Sequence, residues 1–281
     1  MEIIKDKTFG GERPLFRVND LRLENITITD GESGIKCCNN IVAENSTFSG
    51  KYPFWHVNDF TIRNCLFNPG ARAAIWYSNN CSMEDCTVDA PKMFRRMNGV
   101  RLRNVRFSDA LETLWDCNGI DMENVQLVNA DYLFMHTDNI RIRNYNQQGN
   151  YSFQYCRNVE IRNAVIDSRD AFWETENVTV YDSEISGEFL GWHSRNLTLV
   201  RCHINGIQPL CYCHNLTLID CVMGEECNLA FEDSEVNATV KGNILSVKNP
   251  KAGKIEADSI GEIIIDKNSL AKEPVEIKTG K

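Results

Sequence analysis

Five side chains could share acid–base chemistry if the chain brought them together: Arg96, Glu112, Asp116, Asp131 and His136. Two carboxyl groups about 5 Å apart have the spacing of a retaining glycosidase pair, and sharing one proton would raise the pKa of one of them. The same set offers β-elimination, in which a basic pocket neutralises a uronate carboxylate and His136 or a charged neighbour removes the adjacent proton. A ladder of stacked ion pairs uses the same residues with no chemistry at all. Arg96, Asp116 and His136 are evenly spaced along the chain, and Glu112 and Asp131 are separated by almost the same interval, so they meet only if the chain returns to the same place at that interval.

The chain does carry such a repeat. Segments such as NIVAENSTF, DFTIRNCLF, GVRLRNVRF, NVEIRNAVI and NLTLVRCHI share one pattern, with a marker at Asp6, Asn25, Asn45, Asn64, Asp85, Asn104, Asn124, Asn144, Asn163, Asp182, Arg201 and Asp220. The markers recur at a nearly constant interval, the mark of stacked repeats, and apolar and polar residues alternate around each, which is a strand signal. A short strand with one apolar face cannot bury it alone, so the coils must stack and share a core. This predicts an all-β fold, a single-stranded right-handed parallel β-helix of about 12 coils, each of roughly 19–21 residues. A leucine-rich-repeat horseshoe fits less well, because the second half of each coil (KYPFWHV, RAAIWYS, NYSFQYC) reads as strands and corners rather than helix. The expected organisation is one domain over 1–281, with a cap strand at 1–8, repeat coils at 9–234, and irregular final coils, cap and tail at 235–281. The marker column is expected to be a structural ladder in which Asn side chains hydrogen-bond from coil to coil.

Aligning the second half of each coil collects the aromatics. One column reads Phe16, Lys36, Trp55, Trp76, Arg95, Trp115, Met135, Gln154, Trp173, Trp192, Cys211 and Phe231, and it holds every Trp in the chain. The column before it, from Leu15 and Ile35 through Phe54 and Phe94 to Leu210, is nearly all apolar and reads as core, so alternation sends the Trp column outward. The column after it includes His56, Tyr77, Arg96, Asp116, His136, Tyr155, Glu174 and His193. Strict alternation would bury these ionisable groups, at several kcal/mol each, so a bend after the Trp column is expected to leave both columns exposed. With Arg72 and Lys92 beside them, Trp55, Trp76, Trp115, Trp173 and Trp192 become candidate platforms for stacking sugar rings, and the flanking charges become candidate partners for hydroxyls and carboxylates. The face is basic in its early coils and acidic from Glu112 onward.

Composition limits the remaining options. The net charge of −9 argues against a general nucleic-acid or anionic-membrane partner. No apolar run is long enough to span a bilayer and the N-terminal stretch has no signal-like apolar region, so a cytoplasmic location is expected. The twelve cysteines are spread along a long chain and are expected to be mostly reduced core filling, although Cys65 and Cys86, or Cys202 and Cys221, fall within disulfide reach on adjacent coils. No metal site and no cofactor motif is expected.

With GGERPLF, GKYPFWH, ARAAIWYS, APKMFR, ETLWDC, GNYSFQYC, LGWHS and QPLCYCHNL in view, the chain resembles an uncharacterised bacterial family of domain-of-unknown-function proteins grouped with the pectin-lyase-like β-helices, over roughly positions 10–250. The resemblance implies the fold and carries no established reaction. The wider group includes polysaccharide lyases, galacturonan hydrolases, pectin esterases and non-catalytic tail proteins, but the paired aspartates of the hydrolases and the calcium aspartates of pectate lyases have no counterpart motif here. The expectation is a carbohydrate-binding or carbohydrate-active protein, a glycoside hydrolase or polysaccharide lyase, acting on an oligo- or polysaccharide near Lys92 to His136. The alternative is a non-catalytic interaction protein whose aromatic face forms a homo-oligomer or partner interface.

Overall fold

The computed structural model describes residues 1–280 and divides the chain into two compact units, Met1–Asn144 and Tyr145–Lys281. Within the first, the strands that lead into or contain the markers, Glu2–Lys5, Asn19–Glu24, Ile35–Glu44, Phe54–Arg63, Asn79–Glu84, Asn98–Phe107 and Asn118–Leu127, pair in parallel, each with the next, in the register the repeat predicts. A second parallel ladder starts with Thr8–Glu12 and Thr27–Glu32 and continues through Thr47–Phe48, Leu66–Phe67 and Thr87–Val88. A third joins Leu15–Phe16 to Ile35–Glu44, Phe54–Arg63 and Ile75–Trp76. The only helical segment among the described residues is a single 3₁₀ turn at Pro69–Ala71, which disposes of the horseshoe alternative. No helix is long and apolar enough to cross a membrane.

The corners explain the marker. All twelve marker residues sit in the left-handed region, with φ between 48° and 55°. Asn and Asp tolerate that region because their short side chains hydrogen-bond locally, and here they also bond along the column, Asn64 Nδ2 to Asn45 Oδ1 at 2.6 Å and Asn104 Nδ2 to Asp85 Oδ1 at 2.9 Å. Inside, Leu15, Ile35, Phe54, Ile75, Phe94 and Leu114 are fully buried or nearly so. Each contributes about 1.5–3 kcal/mol of burial relative to solvent, and Phe48 stacks on Phe67 at 4.8 Å across neighbouring coils.

The second unit repeats the plan, with Arg157–Asp167, Glu176–Tyr181, Arg195–Val200, Leu216–Met223, Glu235–Lys248, Ala252–Ile264 and Glu276–Thr279 in successive parallel pairings. The chain is thus an all-β parallel β-solenoid of about 15 turns rather than twelve. The additional turns lie after Glu235, where register partners such as Val240 and Ala257, or Ser246 and Glu262, are closer in sequence than the partners of any earlier coil. Those turns have lost both the Asn marker and the aromatic corner, so the repeat fades while the strand pairing continues. At the other end, Glu2–Lys5 and Thr8–Glu12 each pair in parallel with the turn that follows.

Candidate functional site

The aromatic column of the first unit is built by strand register. Phe16 pairs with Lys36, Lys36 with Trp55, Trp55 with Trp76, Trp76 with Arg95 and Arg95 with Trp115. In-register parallel strands about 4.8 Å apart force equivalent side chains to lie over one another. Trp55 and Trp76 stack at 5.5 Å with planes 28° apart. The Arg95 guanidinium lies between two indoles, 4.8 Å from the Trp76 ring centre and 4.2 Å from that of Trp115, and Lys36 Nζ lies 5.8 Å from Trp55. The indole N–H groups are used as well: Trp76 donates to the Lys92 carbonyl at 2.9 Å and Trp115 to the Tyr132 carbonyl at 2.5 Å. The half-buried rings therefore present their edges to solvent, because their faces are taken by the coils on either side. This corrects the expectation of open platforms for Trp55 and Trp76; Trp115 has at least one face covered by Arg95.

The predicted bend after the Trp column exists, and its physical form is a left-handed residue in every coil. Arg17, Cys37, His56, Tyr77, Arg96, Asp116 and His136 have φ between 50° and 56°. For bulky side chains this conformation costs roughly 1–2 kcal/mol each, and the ladder stabilises it: the Tyr77 amide donates to the Arg95 carbonyl at 2.9 Å and the Arg96 amide to the Trp115 carbonyl at 3.0 Å. The bend turns this column outward beside the ring edges. His56 stacks on Tyr77 at 5.3 Å, and Arg96 lies 5.6 Å from the Tyr77 ring. On the other flank, Tyr52 packs edge-on against Trp55 at 4.9 Å, and Lys51 beside it lines a groove of about 560 Å³ with Glu12, Asp30 and Glu32. Its floor is the backbone of Gly11, Gly31, Gly50 and Gly70. Glycine is required at Gly31, where φ is +149° and a Cβ would run into the Gly11 carbonyl.

The acid–base set comes out differently from its sequence reading. The Glu112 amide donates to the Asp131 carbonyl at 2.9 Å, the same slant by which the Arg96 amide reaches Trp115 while Arg96 stands opposite Asp116. Glu112 therefore stands opposite Tyr132, and Asp131 one position earlier, so the two carboxylates are not directly stacked. Glu112 is also held by Arg95 at 2.5 Å and Lys92 at 3.0 Å. Burial would push its carboxyl upward, but the hydrogen bonds from Lys92 and Arg95 outweigh it and hold the group below the usual carboxylate range. A proton-sharing carboxyl pair with one raised pKa is thus corrected, for Glu112, to a doubly bridged anion. Arg96 and Asp116 do stack, but at 3.9 Å with 64% and 51% of their side chains exposed, an ion pair that water screens. His136 is exposed and Asp131 half-buried, each at its own corner of the coil. Arg72 is exposed, with its carbonyl taking the Tyr52 amide.

The second unit carries a related group. Trp173 and Trp192 lie 5.6 Å apart, His193 stacks on Tyr212 at 4.9 Å with planes 12° apart, and the Trp192 indole donates to the Gln208 carbonyl at 2.8 Å. Tyr155, Glu174, His193 and Tyr212 occupy the left-handed corner, with φ between 50° and 61°. The column does not stay outward throughout, since Cys211 and Phe231 are fully buried. A buried carboxylate, Asp170, stands three positions before Trp173: burial pushes its pKa up, Arg169 at 3.3 Å pulls it down, and Glu188 adds to the rise.

The family model for a protein of unknown function, DUF3737, matches residues 2–278. The chain belongs to that family. The match extends the motif resemblance over almost the whole length. No curated protein matches the chain. Among solved structures it is similar to a mutant tailspike protein of E. coli bacteriophage HK620 in complex with a pentasaccharide (9% identity, 95% of this chain and 70% of that one, TM-score 0.44). It is also similar to PfbA, a surface adhesin of Streptococcus pneumoniae (11%, 92% and 73%, TM-score 0.37), and to the A-module of a mannuronan C-5 epimerase of Azotobacter vinelandii (9%, 100% and 91%, TM-score 0.33). At these identities and scores the likenesses carry no functional argument.

Two features escaped the sequence reading. Arg95 was visible as an interruption of the Trp column, yet its place at the centre of the stack, with Nε buried and unpaired, required the register and the side-chain geometry together. The glycine-floored groove could have been found by aligning Gly11, Gly31, Gly50 and Gly70, which recur once per coil.

Proposed function

We propose that this protein binds a carbohydrate on the aromatic corner of its first unit, around Tyr52, Trp55, His56, Trp76 and Tyr77. The observation that carries the reading is the left-handed corner, which places a hydrogen-bonding column (His56, Tyr77, Arg96) outward beside a row of ring edges, next to a groove lined by carboxylates and Lys51. Carboxylates and amide groups accept and donate hydrogen bonds to hydroxyls, and ring edges supply apolar contact without needing an open face. Binding is favoured over hydrolysis or elimination, because Glu112, the best placed carboxylate near Lys92 to His136, is neutralised by two cations. The parallel crossovers are proposed to wind right-handed, the hand such connections almost always take, and the buried thiols support a reducing, cytoplasmic location.

A glycan array probed with the purified chain tests the reading. Retention of a defined glycan class, reduced in a Trp55→Ala/Tyr77→Ala variant that keeps its β-sheet circular dichroism, supports it; an array with no retained glycan sinks it. One observation favours a second reading, a non-catalytic subunit interface: Trp55 and Trp76 stack on each other, Arg95 lies over Trp76, and the Trp76 N–H is already bonded within the chain. Sedimentation showing a dimer in which Trp55 and Trp76 are shielded from a collisional quencher would decide for the interface.

A further inference from the structure

In the first unit every indole carries a cation from its own chain. Lys36 Nζ lies 5.8 Å from the Trp55 ring centre, and the Arg95 guanidinium lies 4.8 Å from that of Trp76 and 4.2 Å from that of Trp115. Around Trp115 the set has three parts: the indole, a guanidinium from the coil before, and Glu112, three positions before the indole, whose carboxylate holds that guanidinium at 2.5 Å. Trp173 repeats the plan with one part exchanged. Asp170 stands three positions before it, and the column position one coil earlier, which Arg95 fills before Trp115, holds the neutral Gln154. Between Tyr145 and Phe231 neither the Trp column nor the column after it contains a Lys or an Arg. Among the described residues no cation lies over Trp173 or Trp192, and the ring contacts of Trp173 are Trp192 at 5.6 Å and His193 at 5.4 Å. Carboxylates are in excess at the same corner. Arg169 reaches Asp170 at 3.3 Å and Glu188 at 3.8 Å, and lies over Phe189 rather than over an indole. Glu174 is exposed, has no ion-pair partner among the described residues, and accepts the Trp173 indole N–H at 3.3 Å. In the strands that follow the corner, Arg157 and Arg195 stand in register on either side of Glu176.

We propose that this corner of the second unit binds an arginine-rich peptide, with one guanidinium against the Trp173 indole and paired to Glu174, and a second taken by Glu188. The inference concerns the second unit and does not rest on the carbohydrate reading of the first. Arginine is favoured over lysine because a guanidinium is planar and weakly hydrated, stacks on aromatic faces and forks onto a carboxylate. Arg95 makes that arrangement with Trp115 and Glu112. An exposed cation–π contact is worth only about two- to fivefold in affinity, so a lone arginine gains little and the occupant must carry several. Coils about 4.8 Å apart set Glu174, His193 and Tyr212 in a row along which such a peptide extends. A polyanion meets the wrong sign of charge here, and a neutral chain would leave Glu174 without a counter-charge.

The test is calorimetric titration of the full chain with hexa-arginine, hexalysine and a neutral glycine–serine peptide of equal length, each blocked at both ends. The proposal expects hexa-arginine to bind with an affinity that falls as salt is raised, hexalysine to bind about threefold or more weakly, and the neutral peptide not to bind. Glu174→Gln and Trp173→Leu, each with unchanged β-sheet circular dichroism, should weaken hexa-arginine by about two- to fivefold. Glu184→Gln, which removes the same charge from the separate strand Glu184–Ser186, should leave it unchanged. If Trp173→Leu does not fold, Glu174→Gln decides alone, since that side chain is exposed. Equal binding of hexalysine overturns the aromatic part. An equal loss in Glu184→Gln reduces the effect to general attraction by an acidic chain and overturns the site. Absence of hexa-arginine binding overturns the proposal outright, and so does a concentration-dependent dimer that Glu174→Gln dissolves, which would give the corner to a second copy.

Discussion

Replacing Arg95 by Met keeps a flexible apolar side chain between Trp76 and Trp115 and removes only the charge. The stack then loses two cation–π contacts, each about 0.5–1 kcal/mol for a partly exposed pair, and Glu112 loses one of its two bridges. The Arg95 and Glu112 side chains are 19% and 24% exposed, so their ion pair is neither fully screened nor fully desolvated. A contribution of about 1 kcal/mol is appropriate for such a pair. Arg95→Met should therefore destabilise the first unit by about 2–3 kcal/mol, and Glu112→Gln by about 1 kcal/mol. A double-mutant cycle isolates the coupling. It is best read from urea unfolding followed by Trp fluorescence, fitted with separate transitions for the two ends, because the ends of a solenoid need not unfold together. The pH dependence supplies an independent check of sign. Because the folded-state pKa of Glu112 is depressed, its stabilisation is present above the ordinary value of 4.5 and is lost as pH falls through the folded value. The gap between wild type and Glu112→Gln should be full at neutral pH and close progressively below about pH 4.5. A coupling under about 0.3 kcal/mol, or a gap that widens on acidification, would refute the reasoning.

Further expectations concern the corners and the second unit. At Arg96, Asn should be tolerated or mildly stabilising, because it accepts φ near 50° and forfeits only a screened ion pair, whereas Val should cost about 1–2 kcal/mol; equal melting temperatures for the two would argue against a strained corner. Gly31→Ala should lower stability by about 2 kcal/mol or more, since its Cβ meets the Gly11 carbonyl, and an unchanged thermal melt would show that the groove floor relaxes freely. Asp170 has a raised pKa in the fold, so its charged form is unfavourable above that value and the penalty disappears as pH falls below the ordinary 3.8. Asp170→Asn should accordingly raise the melting temperature at neutral pH and lose that advantage in acid; a lowered melting temperature at neutral pH would mean that the Arg169 bridge dominates.

The Asn marker recurs because a left-handed corner must form in every coil, and few side chains accept it; that constraint is local and therefore legible in the sequence. The same periodicity placed Trp55, Trp76, Arg95 and Trp115 in one column, and the excess of charge in the next column required a bend, which His56, Tyr77 and Arg96 supply. Irregular final coils were legible after position 235, but not their number or their continuous pairing, because parallel pairing tolerates shorter turns once the corner residues are gone, and backbone hydrogen bonds leave no side-chain signature.

What the sequence by itself determined is the repeat, the strand register over the marker-bearing turns, and which residues share a column, all of which follow from short-range alternation and the chemistry of the corners. What only the tertiary structure decided is how those columns fill their space. That Arg95 lies between two indoles and that Glu112 faces Tyr132 with two cations on its carboxylate depends on side-chain packing between coils about 4.8 Å apart. A shift of one position in that packing separates a proton-sharing carboxyl pair from an ion-pair ladder, and residue spacing alone carries no information finer than the coil.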